Sequence, residues 1–190
     1  MINFVHSSPV FANCIFSGNN ADTSGGGMYN YSYSSPVLTN CTFIGNRAGQ
    51  SGGGMLNEDN SASELTDCLF SNNSALYGGG MENRSSPVVL TNCTFFANSA
   101  SNGGGINNIT SASTLSSCTF TKNTASYGGG LYSDGSSPSL TNCSFEANSA
   151  SVYGGGMMNS TSTPSLTGCS FYGNSAGESG GGMYNFNNSA

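Results

Sequence analysis

The chain of 190 residues repeats one pattern seven times, and each repeat carries a single cysteine. Successive cysteines are separated by 27, 27, 25, 25, 25 and 26 residues. A Phe follows each cysteine by two positions, and an Asn follows it by five. A Gly triplet and then an apolar residue complete the repeat. This regularity predicts a solenoid, in which each repeat packs on its neighbours, because a single repeat cannot bury its own apolar side chains.

The spacing within a repeat predicts short strands. Cys143 and Phe145 alternate with Ser144 and Glu146, as expected for a strand with one buried face. Leu140 lies three positions before Cys143, so a bend between them is needed to keep both side chains inside. Repeats differ in length only on either side of this regular segment, where turns tolerate insertions. Three strands and three bends per repeat predict an all-β fold, a parallel β-helix of about seven coils with 25–27 residues each.

The repeated positions are predicted to have structural roles. The cysteines and phenylalanines are expected to form columns in the core, and the first Asn of each repeat is expected to occupy a bend. The core columns are Cys14, Cys41, Cys68, Cys93, Cys118, Cys143, Cys169, Phe16, Phe43, Phe70, Phe95, Phe120, Phe145 and Phe171. The Asn residues are Asn19, Asn46, Asn73, Asn98, Asn123, Asn148 and Asn174. A second Asn column, which includes Asn30 and Asn159, is also expected at bends.

The charge of the chain excludes some classes of partner. Only 6% of the residues are charged, the net charge is −6, and the basic residues are Arg47, Arg84 and Lys122. Nucleic acid is not expected as a partner, because its recognition needs clustered Lys and Arg. No apolar run reaches the ~18 residues of a membrane span, so direct membrane insertion by this segment is not expected. The first residues also lack the basic and apolar regions of a signal peptide.

The cysteines are predicted to be free thiols. In a stack of coils their Cβ atoms are parallel and ~4.8 Å apart, whereas a disulfide needs ~3.8 Å. Buried thiols then act as small apolar side chains. A linear stack also offers no tetrahedral zinc site, and His6 is the only histidine. We therefore expect no metal site and no cofactor.

The acidic residues do not form an evident catalytic site in the sequence. The best grouping is Glu58, Asp59 and Glu82 near Arg84. Glu58 and Arg84 occupy the same column in adjacent coils, which predicts a surface ion pair worth under about 1 kcal/mol. No catalytic residues are assigned, and the chain is not expected to be an enzyme.

The second position after each Gly triplet is expected to point outward. Tyr29, Tyr132, Met158 and Tyr184 occupy this column and are candidate surface-binding residues. Exposed Tyr side chains on a flat sheet can stack on sugar rings or contact protein partners. The alternative is ordinary stacking of these side chains along a solvated sheet.

Two linked motifs resemble a known group of proteins. Phe-x-x-Asn occurs seven times, as in Phe16-Ser-Gly-Asn19 and Phe43-Ile-Gly-Asn46, and a Gly-Gly-small-aliphatic motif follows each one. Nearly the whole chain resembles the polymorphic outer membrane protein repeats of chlamydiae and the wider set of bacterial pectin-lyase-like β-helix proteins. Gly-Gly-Gly-Met here departs from the Gly-Gly-Ala-Ile that the chlamydial repeats favour, so the wider family fits better. The resemblance implies a right-handed coil and an exported protein, often an adhesin.

These observations lead to one expected organisation and two functions. Residues 1–190 are expected to be a single β-helix domain, a segment of a longer array that lacks both caps and whose signal and anchor lie elsewhere. The favoured function is an extracellular or outer-surface structural segment, adhesin-like, that presents a polar repetitive surface to carbohydrate or to a host or cell-surface protein. The alternative is part of a carbohydrate-active enzyme, a polysaccharide lyase or hydrolase, with its catalytic coils elsewhere.

Overall fold

The computed structural model describes residues 1–187 and Ser189, and its regular structure is β-strand throughout. Each coil adds one strand to each of three long parallel sheets, here named A, B and C, and a fourth side pairs along part of the solenoid. The predicted right-handed parallel β-helix of about seven coils is confirmed. The described residues contain no helix long and apolar enough to cross a bilayer. That residues 1–190 belong to a longer array stays a prediction.

The strands are short and recur once per coil. Sheet A contains Ile2–Phe4, Met28–Tyr31, Met55–Glu58, Met81–Arg84, Ile106–Ile109, Leu131–Asp134, Met157–Ser160 and Met183–Phe186. Sheet B contains Val10–Ala12, Val37–Thr39, Glu64–Thr66, Val89–Thr91, Thr114–Ser116, Ser139–Thr141 and Ser165–Thr167. Sheet C contains Ile15–Ser17, Thr42–Ile44, Leu69–Ser71, Thr94–Phe96, Thr119–Thr121, Ser144–Glu146 and Ser170–Tyr172. The fourth side contains Asn20–Ala21 paired with Arg47–Ala48, and Thr124–Tyr127, Ser149–Tyr153 and Ser175–Ala176.

Equivalent residues of successive coils are direct partners in these sheets. In sheet A, for example, Met28 pairs with Met55. The same register places Phe43 beside Phe70 in sheet C. Sheets B and C meet at Asn40, whose φ of 51° is left-handed. Asn adopts this conformation more readily than most residues, so the bend costs little there.

The core is a set of stacked columns. Phe43 and Phe70 are fully buried, their ring centroids are 4.7 Å apart, and the rings are parallel to within 1°. This spacing matches the ~4.8 Å between paired strands, so the register of the backbone sets the stacking of the rings. All seven cysteines are free thiols, and five of them are buried. Cys14 and Cys169 are partly exposed, because each lies in a coil with a neighbour on only one side in the structure.

The two Asn columns have different positions. Asn73 follows the left-handed residue Asn72 at the end of sheet C, and its Nδ2 donates to Asn98 Oδ1 at 3.0 Å. Asn57 lies inside a strand of sheet A with its side chain buried, and its Nδ2 donates to Asn83 Oδ1 at 2.9 Å. The expectation that this second column lies at bends is wrong. Strand alternation turns Asn57 inward, and the left-handed bend comes only at residues 59 and 60.

The Gly triplets bring the chain into sheet A. Gly78, the first of its triplet, has a φ of +61°, which glycine adopts without strain. A Cβ added to Gly80, the third, would lie 2.6 Å from the carbonyl oxygen of Gly105 and 2.9 Å from Cδ1 of Phe95. The triplet therefore combines a turn with a close approach between coils. Each sheet A strand after the first begins directly after its triplet, so the triplet also sets the position of the outward residues.

Candidate ligand-binding furrow on sheet A

The outward column of sheet A is mostly buried, contrary to the expectation of an exposed face. The residues are Tyr29, Leu56, Glu82, Asn107, Tyr132, Met158 and Tyr184. Leu56 is 0% exposed, and Glu82 and Asn107 are each 1% exposed. Met158 is 7% exposed, so it is not the surface residue that the sequence suggested. Tyr29, Tyr132 and Tyr184 are half-buried.

A furrow explains this burial. One wall comes from residues directly before the Gly triplets, such as Tyr77 and Asn102. The other wall comes from the last residues of the sheet A strands, such as Arg84 and Asp134. The outward column lies between the two walls as a floor. Strand alternation alone predicts that a side chain points away from the core, but it does not predict what the neighbouring loop places beside it.

The first section of the furrow is a polar cavity of about 340 Å³. Its lining consists of Tyr77, Glu82, Arg84, Asn102, Asn107, Ile109, Tyr132 and Asp134. Glu82, Asn107 and Tyr132 are successive partners in sheet A, so the cavity extends across neighbouring coils. A polar floor in a cavity of this size is suited to a small hydrophilic group.

Glu82 is the central charged group of this cavity. Its Oε1 accepts hydrogen bonds from Nε of Arg84 at 2.8 Å and from Nδ2 of Asn107 at 3.3 Å. Neither Oε2 of Glu82 nor Oδ1 of Asn107 has a hydrogen-bond donor among the described residues. Burial raises the pKa of Glu82, and the positive charge of Arg84 opposes that shift. The floor therefore presents two buried acceptors without donors.

Arg84 is held by the protein on several sides. Its Nη2 donates to Oγ of Ser51 at 2.7 Å, and its Nη1 lies 3.6 Å from Oε1 of Glu58. The predicted pair between Glu58 and Arg84 is thus present. Tyr29 donates from its hydroxyl to Oε2 of Glu58 at 2.6 Å, and burial raises the pKa of Tyr29, with the Glu58 bond adding to the shift. Two carboxylates of the chain therefore balance the charge of this guanidinium, whose side chain is 37% exposed.

Asp59 does not join the charged group at Arg84. It lies at the left-handed bend after its strand, with a φ of 56°, and it accepts a hydrogen bond from Nδ2 of Asn60 at 3.3 Å. Asp134 lines the same cavity as Glu82 instead, and its Oδ1 accepts from Oγ1 of Thr161 at 3.1 Å. The sequence grouping missed Asp134, because Glu82 and Asp134 are two coils apart and meet only through stacking. Across residues 1–187 and Ser189, no three metal-ligating side chains cluster together.

The second section of the furrow is aromatic. Tyr127, Tyr153, Met158, Tyr184 and Phe186 line a cavity of about 330 Å³. The rings of Tyr153 and Tyr184 are stacked, with centroids 4.5 Å apart and planes 11° apart. Tyr127 continues the row at 6.1 Å from Tyr153. Tyr132 and Met158 are direct partners in sheet A, so the polar and aromatic sections share one floor.

Tyr127 and Tyr153 are the residues that the sequence analysis missed. Each directly precedes a Gly triplet, as Tyr77 does, and that recurrence was the available signal. The gap that contains them varies in length, which predicts a loop, whereas the structure places both residues at the ends of fourth-side strands. From Glu82 to Tyr184 the furrow crosses five coils, about 19 Å at the strand spacing.

Comparisons with known proteins agree with this architecture. The family model described as a right-handed beta helix region matches residues 2–120, more than half of the chain. The chain belongs to this right-handed β-helix family. Residues 117–134 match the model for the Chlamydia polymorphic membrane protein repeat. No curated protein matches the chain significantly.

Proposed function

We propose that this chain is the β-helix segment of a cell-surface or secreted protein and that its furrow binds a glycan. The observation that carries the proposal is the continuity of the two cavities: stacked Tyr153 and Tyr184 at one end and buried Glu82 and Asn107 at the other. A sugar ring has apolar faces that pack on Tyr rings and hydroxyls that bond to polar side chains. The match to a membrane-protein repeat supports the surface location.

The solenoid is suited to a structural and adhesive role. Every coil adds strands to continuous parallel sheets, and the core columns extend from coil to coil. Such a body stays rigid along its axis and repeats its outer surface at the strand spacing of ~4.8 Å. A furrow parallel to the axis therefore suits an extended chain of repeating units, such as an oligosaccharide. A protein partner is the other occupant that the binding experiment must distinguish.

A glycan array followed by calorimetric titration of the 190-residue chain tests this function. Tyr153→Ala should weaken glycan binding at least ~tenfold, because it removes one ring of the stacked pair. Tyr172→Ala is the matched control, since Tyr172 is 75% exposed in a sheet C strand. Absence of binding to any glycan, or equal effects of the two substitutions, would contradict the proposal.

A second candidate function is hydrolysis or lyase chemistry on a polysaccharide within this chain. Two observations favour it: Glu82 and Asp134 line one cavity, and burial raises the pKa of Glu82. Glycosidases use two carboxyl groups on one cleft, one of which must stay protonated to act as the acid. The right-handed β-helix occurs in enzymes and in other proteins, so family membership does not decide between the functions.

Incubation with a panel of polysaccharides tests the enzymatic candidate. Cleavage that disappears in Glu82→Gln and persists in Glu64→Gln would support it, because Glu64 is exposed on sheet B. Binding without cleavage of the same polysaccharides would leave the binding function alone.

A further inference from the structure

We infer that the polar section of the furrow selects sugar units with free hydroxyl or amino groups and rejects uronic acids. The inference rests on the proposed glycan binding, and it names the class of glycan. It follows from three features: the unpaired acceptors on the floor, the carboxylates that balance the charge of Arg84, and the absence of any other Lys or Arg side chain from the cavity lining.

The acceptors require a ligand that donates hydrogen bonds. Oε2 of Glu82 and Oδ1 of Asn107 are each buried in a residue that is 1% exposed, and neither has a donor among the described residues. Both side chains belong to the floor of the same cavity. Both atoms lie just beneath the cavity surface, so a small rotation of these side chains must bring them to a ligand. A buried acceptor without a donor is unfavourable, so a ligand that then supplies N–H or O–H groups recovers energy that other ligands do not.

The charges disfavour an anionic ligand. Arg84 is the basic residue of the cavity lining, and Glu82, Glu58 and Ser51 already engage its guanidinium at 2.8, 3.6 and 2.7 Å. Glu82 and Asp134 add carboxyl groups to the same lining. The carboxylate of a uronate would be repelled by these groups and would have no further cation to pair with, whereas an ammonium group would be attracted to them.

The other basic residues lie elsewhere. Arg47 lines a different cavity, beside Ala48 and Ser74 on the fourth side. Lys122 is exposed at the end of sheet C, with its Nζ 5.9 Å from the centre of the Phe96 ring. These are the only other Lys or Arg residues in the chain, whose net charge is −6, so no second basic side chain is available to pair with an anion beside Glu82.

Matched oligosaccharides test the selectivity. For both a β-1,4-linked gluco backbone and an α-1,4-linked galacto backbone, the neutral, 2-amino and uronate forms are titrated by calorimetry into the 190-residue chain at neutral pH. The neutral and amino forms of a backbone that binds should be at least ~tenfold tighter than its uronate form. Glu82→Gln should reduce the preference for the amino form, because it removes the carboxylate and keeps the shape, while Glu64→Gln should not.

The outcomes separate the two proposals. A uronate that binds as tightly as its neutral form, or a preference unchanged in Glu82→Gln, would overturn the selectivity and leave glycan binding intact. No binding of any form, together with a negative glycan array, would overturn glycan binding itself. If Glu82→Gln does not fold, as judged by circular dichroism, Asn107→Leu replaces it, since Leu56 shows that this column accepts Leu. Loss of at least ~tenfold in amino-sugar and neutral-sugar affinity is then expected.

Discussion

Nδ2 of Asn98 donates a 3.0 Å hydrogen bond to Oδ1 of Asn123, the equivalent residue of the next coil. The same nitrogen donates to the carbonyl oxygen of Phe70 at 2.9 Å. Oδ1 of Asn98 accepts from both the backbone nitrogen and Nδ2 of Asn73, at 2.9 and 3.0 Å. Both polar atoms of this buried amide are therefore satisfied, and the ladder joins three coils at one bend.

Asn98→Leu is expected to destabilise the protein strongly. The substitution keeps a similar volume but leaves the backbone N–H of Asn73 without its acceptor and removes the donor that Asn98 supplies to the Phe70 carbonyl. The expected loss is at least about 3 kcal/mol in the free energy of unfolding, since each buried polar group left unpaired costs ~1–3 kcal/mol. Denaturant unfolding measures it. Asn20→Leu is the control: Asn20 is exposed at the surface, so a change within ~0.5 kcal/mol is expected.

The thiols should react in two classes. Cys14 and Cys169 are partly exposed, whereas the other five cysteines are buried, and burial raises the pKa of Cys41. In the native 190-residue chain, a thiol reagent is expected to label these two cysteines first and the five others only on unfolding. Mass spectrometry of labelled peptides measures the order. Fast labelling of Cys93 or Cys118 in the folded protein would contradict the buried column.

The stability should depend on pH through Glu82. Its pKa is raised in the folded protein, so the carboxyl loses its proton at a higher pH there than in the unfolded chain. The stability it contributes is present below the ordinary carboxyl value of about 4.3 and is lost as the pH rises through the raised pKa. The Tm of Glu82→Gln relative to the unsubstituted protein should therefore increase as the pH rises from about 4 to 8. Glu64→Gln is the control, and a Tm difference that shrinks over this range would contradict the assignment.

Two glycine substitutions should distinguish the stability cost of a steric clash between coils from the cost of a left-handed backbone conformation. Gly80→Ala places a Cβ 2.6 Å from the carbonyl oxygen of Gly105, so the coils must shift, and a loss of at least ~2 kcal/mol is expected. Gly45→Ala meets no atom within 4 Å at a φ of +64°, and Ala97 occupies the equivalent bend at 52°. Its cost should be ~1–2 kcal/mol, from the left-handed conformation alone. Thermal unfolding compares them; equal losses would mean that the Gly80 site can relax.

The core could be predicted from the sequence because the inward residues alternate within each strand and recur at nearly constant spacing from coil to coil. Cys143 and Phe145 alternate with polar residues, and their equivalents recur at nearly constant spacing, so stacking followed directly. The second Asn column shows the limit of this reasoning. Asn is favoured at bends, but Asn57 lies inside a strand, where neighbouring Asn side chains satisfy each other across coils. The preference of Asn for bends is therefore overridden by hydrogen bonds between Asn side chains, which form only when the coils stack.

The furrow could be predicted only in part. The outward column, with Tyr132 and Tyr184, came from alternation, but the expectation of an open face was wrong because burial depends on the adjacent wall. Alternation within the strand does not identify Tyr153, which lies outside that column and directly precedes a Gly triplet. Glu82 and Asp134 are 52 residues apart in sequence and share a cavity only because the coils stack in register.

The sequence by itself determined the coil: its length, its strands, its inward columns and the glycines that admit close approach. These features repeat, and each depends on residues within one coil or at one position of its neighbour. Only the tertiary structure decided the surface. The walls of the furrow come from side chains that precede the Gly triplets or end the sheet A strands, and their identity varies from coil to coil. Glu82 is therefore buried and Glu64 is exposed, although both point outward from their strands. The two glutamates differ in exposure because Glu82 lies between the walls of the furrow, whereas no such wall among the described residues lies beside Glu64.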